Sequence, residues 1–423
     1  MKQQLKSISV YLKVIRETNV DLRANCNCMK ILLPFALLIL LSSCENHKDN
    51  PTGPQSVLEL ELVDSLVVDE LSTLAMDDFS PENGYYLIKG TKSRKLYLVD
   101  EKGTIIQEYD HLHEGPNGLG TNGAVGYRFL DKDRWVAKGL FNGYHIYNLQ
   151  GEKLKSVPDN IKNLFRMTIY SMRTTFTPYV RNGVPYMVGE EPNSFDPSEH
   201  DPKKEDAAFY QNVRTVFNYN LDTEENELLE TFPEAWQPRQ VGRYVGQSLP
   251  IVAYDRIKEE LAVLPVRGNQ LFVYNYSDSI PVIKDTVALS HRFRPEEIPP
   301  FNPDDDPNLS EYPEFSDLRI LGEYILVGFH TRIPKDIVRG LRAKSEQFYN
   351  LPEYRTAMEQ YSKAYYLLVK DGQQVGILDE FPLPGSLNFT DQNGYLYIND
   401  NLSPETERDY NVFYKLRINP RQK

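Results

Sequence analysis

Histidine and arginine side chains gather in two short segments where strands are expected to end. The first reads His291-Arg-Phe-Arg294, and the second reads His330-Thr-Arg332. Guanidinium and protonated imidazole groups donate strong hydrogen bonds to anionic groups. We therefore expect a pocket that accepts an anion, with pairing to the protein's own carboxylates as the alternative. The candidate ligand pocket comprises His111, His113, Arg128, His291, Arg292, Arg294, His330 and Arg332.

One histidine pair has a spacing that could suit a metal ion. His111 and His113 are two residues apart and Glu114 follows, so on a strand both rings would share a face. A zinc site adds further ligands at a diagnostic spacing, and the sequence offers none here. The pattern therefore favours ordinary surface histidines, and we predict no metal site and no other cofactor.

Four oxygen-bearing residues alternate in a proline-rich stretch, as the ligands of a calcium loop would: Asn302, Asp304, Asp306 and Asn308. A calcium loop needs glycine at its sharp turn and a bidentate glutamate at its end. Pro307 and Pro313 occupy these two places. The stretch is therefore predicted to be a solvated acidic loop.

The segment Gly118-Leu-Gly-Thr-Asn-Gly123 matches the glycine pattern of dinucleotide-binding loops. That pattern holds a pyrophosphate only between a strand and a helix whose N-terminus faces the ligand. Residues 124–129 continue as a strand, so we predict no nucleotide site. The sequence also contains no Gly-x-Ser-x-Gly, His-Glu-x-x-His or phosphate-loop motif.

Tyrosine-rich hairpins recur along the chain and predict β structure. Residues 95–109 alternate apolar and polar positions on both sides of a Glu-Lys-Gly turn, as a hairpin with one buried face requires. Four further segments place an aromatic strand before a polar turn, and a sixth aromatic strand follows them. These segments are residues 144–154, 216–229, 271–279, 365–378 and 411–418.

Shorter strands lie between these copies, for example residues 134–138 and 260–264, which gives six units of four strands. Units of about 40 to 50 residues with four strands are typical of a β-propeller. We therefore predict an all-β, six-bladed β-propeller in which residues 57–63 complete the last blade. A pair of β-sandwiches or two barrels is the alternative.

One stretch interrupts the β pattern inside the fifth unit. Apolar residues between 335 and 366 recur at every third to fourth position, and Pro352 divides the stretch. This spacing predicts a helical insertion over residues 335–366 in the fifth blade. It is expected to project from one face as a lid or docking element, or else to fill a gap in the fold.

A lipoprotein export signal precedes the expected domain. Lys30 is followed by an apolar run over 31–41, which is shorter than the roughly 20 residues that span a bilayer. The ending Leu41-Ser-Ser-Cys44 resembles the lipobox of bacterial lipoproteins, in which the signal is removed and the cysteine is lipidated. We predict an export signal over residues 1–43 and membrane anchorage through acylated Cys44. Met29 begins a complete signal of its own, so the sequence favours it as the start and residues 1–28 as untranslated.

The remaining chain divides into a tether and one domain. Residues 44–55 are polar and are predicted to be a flexible lipidated tether, and residues 56–423 a single propeller domain. Cys26 and Cys28 precede the cleavage point, so a lipidated Cys44 leaves no thiol for disulfides or catalysis. The mature part keeps 41 basic and 58 acidic residues, a net charge of −17. Such a charge repels nucleic acid, and we expect a monomer that binds none.

The lipobox, the tyrosine-rich hairpins and the segment Glu114-Gly-Pro-Asn-Gly118 resemble the TolB-like six-bladed β-propeller lipoproteins of Gram-negative bacteria. The resemblance covers most of residues 56–418. It implies a lipid-anchored protein of the bacterial cell envelope, in the outer membrane, and it transfers no catalytic residue.

The segment that carries this resemblance has backbone properties that suit a turn. Pro116 fixes one backbone angle, while Gly115 and Gly118 allow positive ones. Glu114, Gly115, Pro116, Asn117 and Gly118 are therefore expected to form the turn between the first two blades, with ligand binding as the alternative.

Two functional classes fit these observations. The first is non-catalytic recognition of a protein, peptide or glycan partner by a propeller anchored to a membrane. It is favoured because the motifs of common catalytic sites are absent from the sequence. The alternative is a propeller-type hydrolase or lyase that uses scattered carboxylates or histidines on an envelope or external glycan or peptide.

Overall fold

A computed structural model describes residues 57–164, 173–302, 306, 309–401 and 408–419. The predicted export signal, Cys44 and the tether lie outside these residues, as do Asp304, Pro307 and Asn308 of the acidic stretch. Within the described part of the chain, 24 strands form six four-stranded antiparallel sheets.

Each sheet is one blade of a propeller, and five blades take their strands in chain order. The first strand of the chain, β1 (Glu59–Val68), belongs to blade 6. Blade 1 contains β2 (Leu74–Ser80), β3 (Tyr85–Gly90), β4 (Leu96–Asp100) and β5 (Ile105–Tyr109). Blade 2 contains β6 (Ala124–Phe129), β7 (Arg134–Gly139), β8 (Tyr144–Asn148) and β9 (Lys153–Val157). Blade 3 contains β10 (Phe176–Arg181), β11 (Val184–Glu190), β12 (Val216–Asn220) and β13 (Asn226–Leu229).

The second half of the ring follows the same scheme until its last blade. Blade 4 contains β14 (Ile251–Asp255), β15 (Glu260–Leu264), β16 (Gln270–Asn275) and β17 (Val282–Ala288). Blade 5 contains β18 (Phe315–Leu321), β19 (Tyr324–His330), β20 (Ala364–Lys370) and β21 (Gln373–Leu378). Blade 6 contains β22 (Ser386–Thr390), β23 (Tyr395–Asn399), β24 (Asn411–Asn419) and, outermost, β1.

The ring closes by pairing the first strand with the last. β1 runs antiparallel to β24, with Leu66 opposite Phe413 and Val68 opposite Asn411. The first strand of every blade contacts the first strands of its neighbours, so β2, β6, β10, β14, β18 and β22 surround the central axis. The predicted six-bladed β-propeller is thereby confirmed, including completion of the last blade by the first strand.

Apolar residues fill the spaces between neighbouring blades. In the described residues there is one core between each adjacent pair of blades. Between blades 1 and 2, for example, it contains Leu98, Trp135 and Tyr147. Because a blade is covered on both faces, its central strands are apolar at consecutive positions, as in β4 and β16. Most hairpin tyrosines therefore serve packing.

The two faces of the ring differ in their connections. Because successive strands run in opposite directions, the connections into each blade and those from its second to its third strand emerge on one face. Several of these are long, such as residues 110–123, 191–215, 230–250 and 331–363, whereas the opposite face has tight turns such as 322–323. We call the face with the long connections the upper face.

Helices occur only within these upper connections in the described part of the chain. Short helices α1 (Pro202–Glu205), α2 (Phe209–Asn212) and α3 (Gln237–Gln240) lie in blades 3 and 4, with a 3₁₀ turn at Asp206–Ala208. The insertion in blade 5 consists of α4 (Lys335–Lys344), a 3₁₀ turn (Phe348–Asn350) and α5 (Pro352–Tyr361). No helix in the described residues combines the length and the apolar character needed to cross a bilayer.

The helical insertion is shorter than its sequence pattern indicates. Apolar spacing extends it to 366, but α5 ends at Tyr361 and Tyr365 already lies in β20. Tyr365 fits the helical period by coincidence, since it packs as a strand residue against Phe329. Thr331 and Lys363 exchange hydrogen bonds, and the two stems of the insertion are thereby held together.

Candidate functional site

Acidic and amide side chains bind the inner edges of the blades. The first strand of a blade is a sheet edge whose outward N–H groups lack a ladder partner. In blade 2 the N–H groups of Tyr127 and Phe129 donate to carboxylates of Asp77 and Asp78 at 3.0 and 2.8 Å. Asn388 accepts the Met76 N–H in the same way at 2.8 Å. These side chains therefore fasten one blade to the next around the axis.

The same arrangement recurs between blades 3 and 4. The N–H group of Val252, on the inner strand of blade 4, donates to Glu190 Oε2 at 2.8 Å. Glu190 also pairs with Arg173, whose Nη2 lies 2.6 Å from Oε1. Both side chains of this pair are more than nine-tenths buried. Both carboxylate oxygens of Glu190 therefore have structural partners.

An ion cluster crosses the centre of the ring. Asp78 of blade 1 pairs with Arg128 of blade 2 at 2.9 Å and with Arg256 of blade 4 at 3.4 Å. Arg256 also donates to the Phe129 carbonyl at 2.9 Å. These residues line a narrow central cavity of about 80 Å³. The cluster therefore places two arginines on the axis against one shared carboxylate, so these three side chains are not fully compensated among themselves.

Two further carboxylates at the centre have raised pKa values. Burial raises the pKa of Asp77, against the effect of the Lys89 ammonium group 2.8 Å away. Burial likewise raises the pKa of Asp391, which accepts hydrogen bonds from the N–H groups of Asn393 and Tyr395 and from the Tyr397 hydroxyl. Each carboxylate thus has specific partners within the fold.

A cavity of about 470 Å³ opens on the upper face between blades 5 and 6. Its volume lies within the range of about 300–1,000 Å³ found for small-molecule sites. Its lining combines apolar side chains, which we call the apolar wall, with polar side chains, which we call the polar wall. The apolar wall is formed by Phe329, Ala364, Tyr366, Leu378, Phe381 and Leu387, and the polar wall includes Arg173, Ser316, Asp317, Arg319, His330, Asp379, Glu380 and Ser386.

Ion pairs compensate the charges on the polar wall, except that of Glu380. Asp317 Oδ2 lies 2.7 Å from Arg319 Nε, and Arg319 also donates to the Asn388 carbonyl. Asp379 lies 2.7 Å from Arg292 Nη2 and 3.2 Å from His291 Nε2. Glu380 stands exposed at the rim. The aspartates and arginines of this wall therefore line the cavity as members of ion pairs and not as isolated charges.

Four of the eight pocket residues predicted from sequence lie at or beside these two cavities. Arg128 lies at the centre of the ring, and His330 lines the cavity between blades 5 and 6, with its Nδ1 3.2 Å from Ser316 Oγ. His291 and Arg292 reach the same cavity through Asp379.

Arg294 and Arg332 lie outside this wall. The Arg294 guanidinium is buried 3.5 Å from the centre of the Phe315 ring and donates to the Gly268 carbonyl at 2.7 Å. Burial lowers its pKa to about 10. Arg332 lies 3.8 Å from Glu314. Arg294 therefore supports the connection between blades 4 and 5.

His111 and His113 have different surroundings, although they are two residues apart. The His111 ring is buried, stacks on Tyr147 with ring centres 4.6 Å apart, and lies 5.6 Å from Trp135. Burial lowers its pKa to about 4. His113 is exposed, with Nδ1 3.0 Å from the Glu114 carbonyl. The structure thus separates this pair into one packing and one surface residue.

The predicted interblade turn, residues 114–118, lies on the connection from blade 1 to blade 2. Gly115 has a positive φ of 132°, and a Cβ at Gly118 would lie 1.8 Å from the His113 carbonyl oxygen. The Asn117 side chain accepts the Lys153 N–H, and its carbonyl accepts the Tyr147 hydroxyl. The segment is tied to blade 2 through these bonds.

Several residues of the site have no signal in the sequence. Asp77, Asp78, Arg173, Arg256 and Arg319 come from four different blades and share no motif. The available sequence signal for these residues was a charged residue inside an apolar strand or just beyond it. It becomes informative only once the inner strands are known.

No group of three or more histidine, cysteine, aspartate or glutamate side chains in the described residues is placed to hold a metal ion. Of the calcium-like stretch, Asp306 pairs with Arg342 of α4. That contact joins the helical insertion to the connection between blades 4 and 5.

Comparison with solved structures agrees with this architecture. A member of the DUF4221 family from Bacteroides vulgatus superposes with a TM-score of 0.61 at 16% identity, over 86% of this chain and 99% of that one. A protein from Bacteroides fragilis gives 0.46 at 12%, over 87% and 95%. A gluconolactonase from Xanthomonas campestris gives 0.37 at 12%, over 88% and 99%. At these identities the likeness concerns the fold alone.

No family model matches the chain, and no curated protein has a significantly similar sequence. The member of the DUF4221 family shares the propeller fold, but the names of the neighbours do not confirm the TolB-like resemblance, which stays a prediction.

Proposed function

We propose that this protein is a lipid-anchored recognition protein of the bacterial outer membrane that binds a neutral glycan without cleaving it. The binding site is the cavity between blades 5 and 6. The anchor rests on the lipobox that ends at Cys44. The choice of ligand rests on one observation: Arg173, Asp317, Arg319 and Asp379 on the polar wall are all in ion pairs.

A charged ligand would gain little in this cavity. Arg173, Arg319 and Asp379 already have partners of opposite charge within 2.7 Å. An anion would lose its hydration without meeting an uncompensated cation, and a cation would meet only the exposed Glu380. A sugar hydroxyl both donates and accepts, so it can bind the outer edges of such pairs. The C–H faces of a sugar ring would pack against Tyr366 and Phe381 on the apolar wall.

The assignment of binding without catalysis is supported by the partners of the central carboxylates. A general acid or base must be free to exchange a proton with its substrate. Asp77, Asp78 and Asp391 instead accept backbone N–H groups and hold blades or turns together. A hydrolase or lyase that used these central carboxylates would need them to leave their partners.

Neutral oligosaccharides test the site directly. His330→Ala removes a polar side chain at the cavity and should weaken glycan binding by about tenfold, the value of one hydrogen bond near 1.4 kcal/mol. His113→Ala removes an exposed histidine from another connection and should leave binding unchanged. Calorimetric titration of the full chain in detergent measures both. Binding of peptides alone, or release of shortened sugars, would overturn the proposal.

The anchor is tested separately. Cys44→Ser should move the protein from the detergent phase to the aqueous phase in a two-phase partition, because the acyl chains are lost. Cys28→Ser should not, since that residue precedes the cleavage point. Equal partitioning of all three proteins would contradict the lipid anchor and leave the glycan assay unaffected.

A further inference from the structure

A separate pocket of about 240 Å³ lies on the upper face between blades 1 and 2. Lys89, Thr91 and Arg94 line it from blade 1, and Asn122 and Gly123 line it from the connection into blade 2. Its volume is below the range of about 300–1,000 Å³ for drug-sized ligands. It therefore suits a small group or the end of a larger molecule.

The charge of this pocket is opposite to that of the protein. Its lining contains two cations and no carboxylate, in a chain whose net charge is −13. Lys89 is compensated by Asp77 beneath it, at 2.8 Å. Arg94 is exposed and forms no ion pair with any residue that the structure describes. One uncompensated positive charge therefore remains at the pocket.

Arg94 occupies a backbone conformation that arginine seldom adopts. Its φ is +58°, in the left-handed region that favours glycine. Its N–H donates to the Gly90 carbonyl at 2.9 Å and closes the tight turn between β3 and β4. Strained positions of this kind are common where a side chain serves a ligand.

The end of the glycine-rich segment supplies further donors. Among the described residues, the N–H groups of Asn122 and Gly123 donate no hydrogen bond. Gly123 has a positive φ of 83°, and a Cβ built there would lie 3.8 Å from Arg94 Cδ, so this backbone is adjacent to the arginine stem. Backbone N–H groups beside a cation are a common arrangement for binding anions.

We propose that this pocket binds a sulfate or phosphate group, free or carried by a sugar or a lipid headgroup. Arg94 supplies the uncompensated positive charge, Lys89 supplies an ammonium group shared with Asp77, and Asn122 and Gly123 supply backbone donors. The site is distinct from the cavity between blades 5 and 6, and it does not depend on glycan binding there.

Arg94→Gly is the decisive variant, because glycine accepts the left-handed backbone and the fold should be kept. Lys92→Gln is its matched control, since it removes an exposed charge from the same turn without lining the pocket. We expect sulfate and phosphate to raise the melting temperature of the full chain and of Lys92→Gln. For Arg94→Gly we expect affinity to fall by about tenfold or more, as for one charge-assisted hydrogen bond.

Three probes distinguish the sources of the anion: inorganic phosphate, a sulfated monosaccharide, and vesicles that contain phosphatidylglycerol. A preference for any one of them that Arg94→Gly abolishes supports the site and names its source. Equal shifts in all three proteins would indicate screening by salt and overturn the proposal. Absence of binding by every probe would overturn it as well.

Discussion

Arg256 and Asp78 join opposite sides of the ring, with Nη2 of the arginine 3.4 Å from Oδ2 of the aspartate. Arg256 follows the inner strand of blade 4, and Asp78 lies on the inner strand of blade 1. Arg128 approaches the same carboxylate from blade 2. Three blades are therefore connected through one side chain, which makes the centre of the ring a structural element.

Asp78→Asn should destabilise the ring strongly. The substitution keeps the shape of the side chain but leaves Arg128 and Arg256 without their counter-charge. We expect the free energy of unfolding to fall by about 3 kcal/mol, as when one member of a buried pair is removed. Urea unfolding measures the change. Asp131→Asn breaks a partly exposed pair with Arg134 and should cost less than about 1 kcal/mol.

Leu66→Ala should weaken the closure of the ring. Leu66 is 5% exposed on β1 and faces the core shared by blades 6 and 1. Truncation of a buried leucine costs about 3 kcal/mol through lost burial and a residual cavity. Val67→Ala alters the next residue, which is 45% exposed, and should change stability by less than about 0.5 kcal/mol. Similar losses in both variants would argue against closure by β1.

Stability should fall as the pH is lowered from about 6.5 towards 4. Burial lowers the pKa of His111 and of His145 to about 4, against about 6.5 in an unfolded chain. Within this window the unfolded state binds protons that the folded state does not. Each histidine should therefore lower the free energy of unfolding by about 1.4 kcal/mol for each pH unit.

The raised pKa values of Asp77 and Asp391 have the opposite effect on stability. Just above pH 3.8 the folded state binds protons at these carboxylates that the unfolded state does not, so lowering the pH there stabilises the fold. The contribution of a histidine is therefore best measured as a difference between variants. His145→Gln should flatten the dependence of unfolding free energy on pH by one proton, and His113→Gln should not. An unchanged slope in His145→Gln would contradict the assignment.

Ser386→Phe should block the cavity between blades 5 and 6. Ser386 is exposed and lines the cavity at the start of the inner strand of blade 6, so a phenyl ring there would occupy ligand space. Glycan binding should be lost while the melting temperature is kept. Ser279→Phe places the same ring in an exposed turn of the opposite face. Undiminished binding by Ser386→Phe would exclude this cavity as the glycan site.

The repeated strands could be predicted from sequence because their signal is local. An aromatic strand before a polar turn marks a hairpin wherever it occurs. Closure of the ring by a first strand followed from the alternation of residues 57–63, although the strand itself is Glu59–Val68. The end of the helical insertion was predicted less accurately, because Tyr365 fits both the helical period and the alternation of a strand.

The centre of the site could not be predicted in this way. Arg173, Arg256 and Arg319 are far apart in the chain, and the inner strands bring them to the axis only after the ring has closed. His111 and Arg294 were singled out by residue type. The fold buries both among aromatic rings, which no spacing in the sequence reveals.

The closure of blade 6 by β1 and β24 has a consequence for the order of synthesis. Leu66 and its partner Phe413 are separated by nearly the whole domain. At about 5–20 residues per second, roughly 20 to 70 s pass between the synthesis of these two residues. During that interval β1 has an unsatisfied edge that could pair with another chain. A factor that shields this first strand until the last one arrives would therefore raise the yield of folded protein.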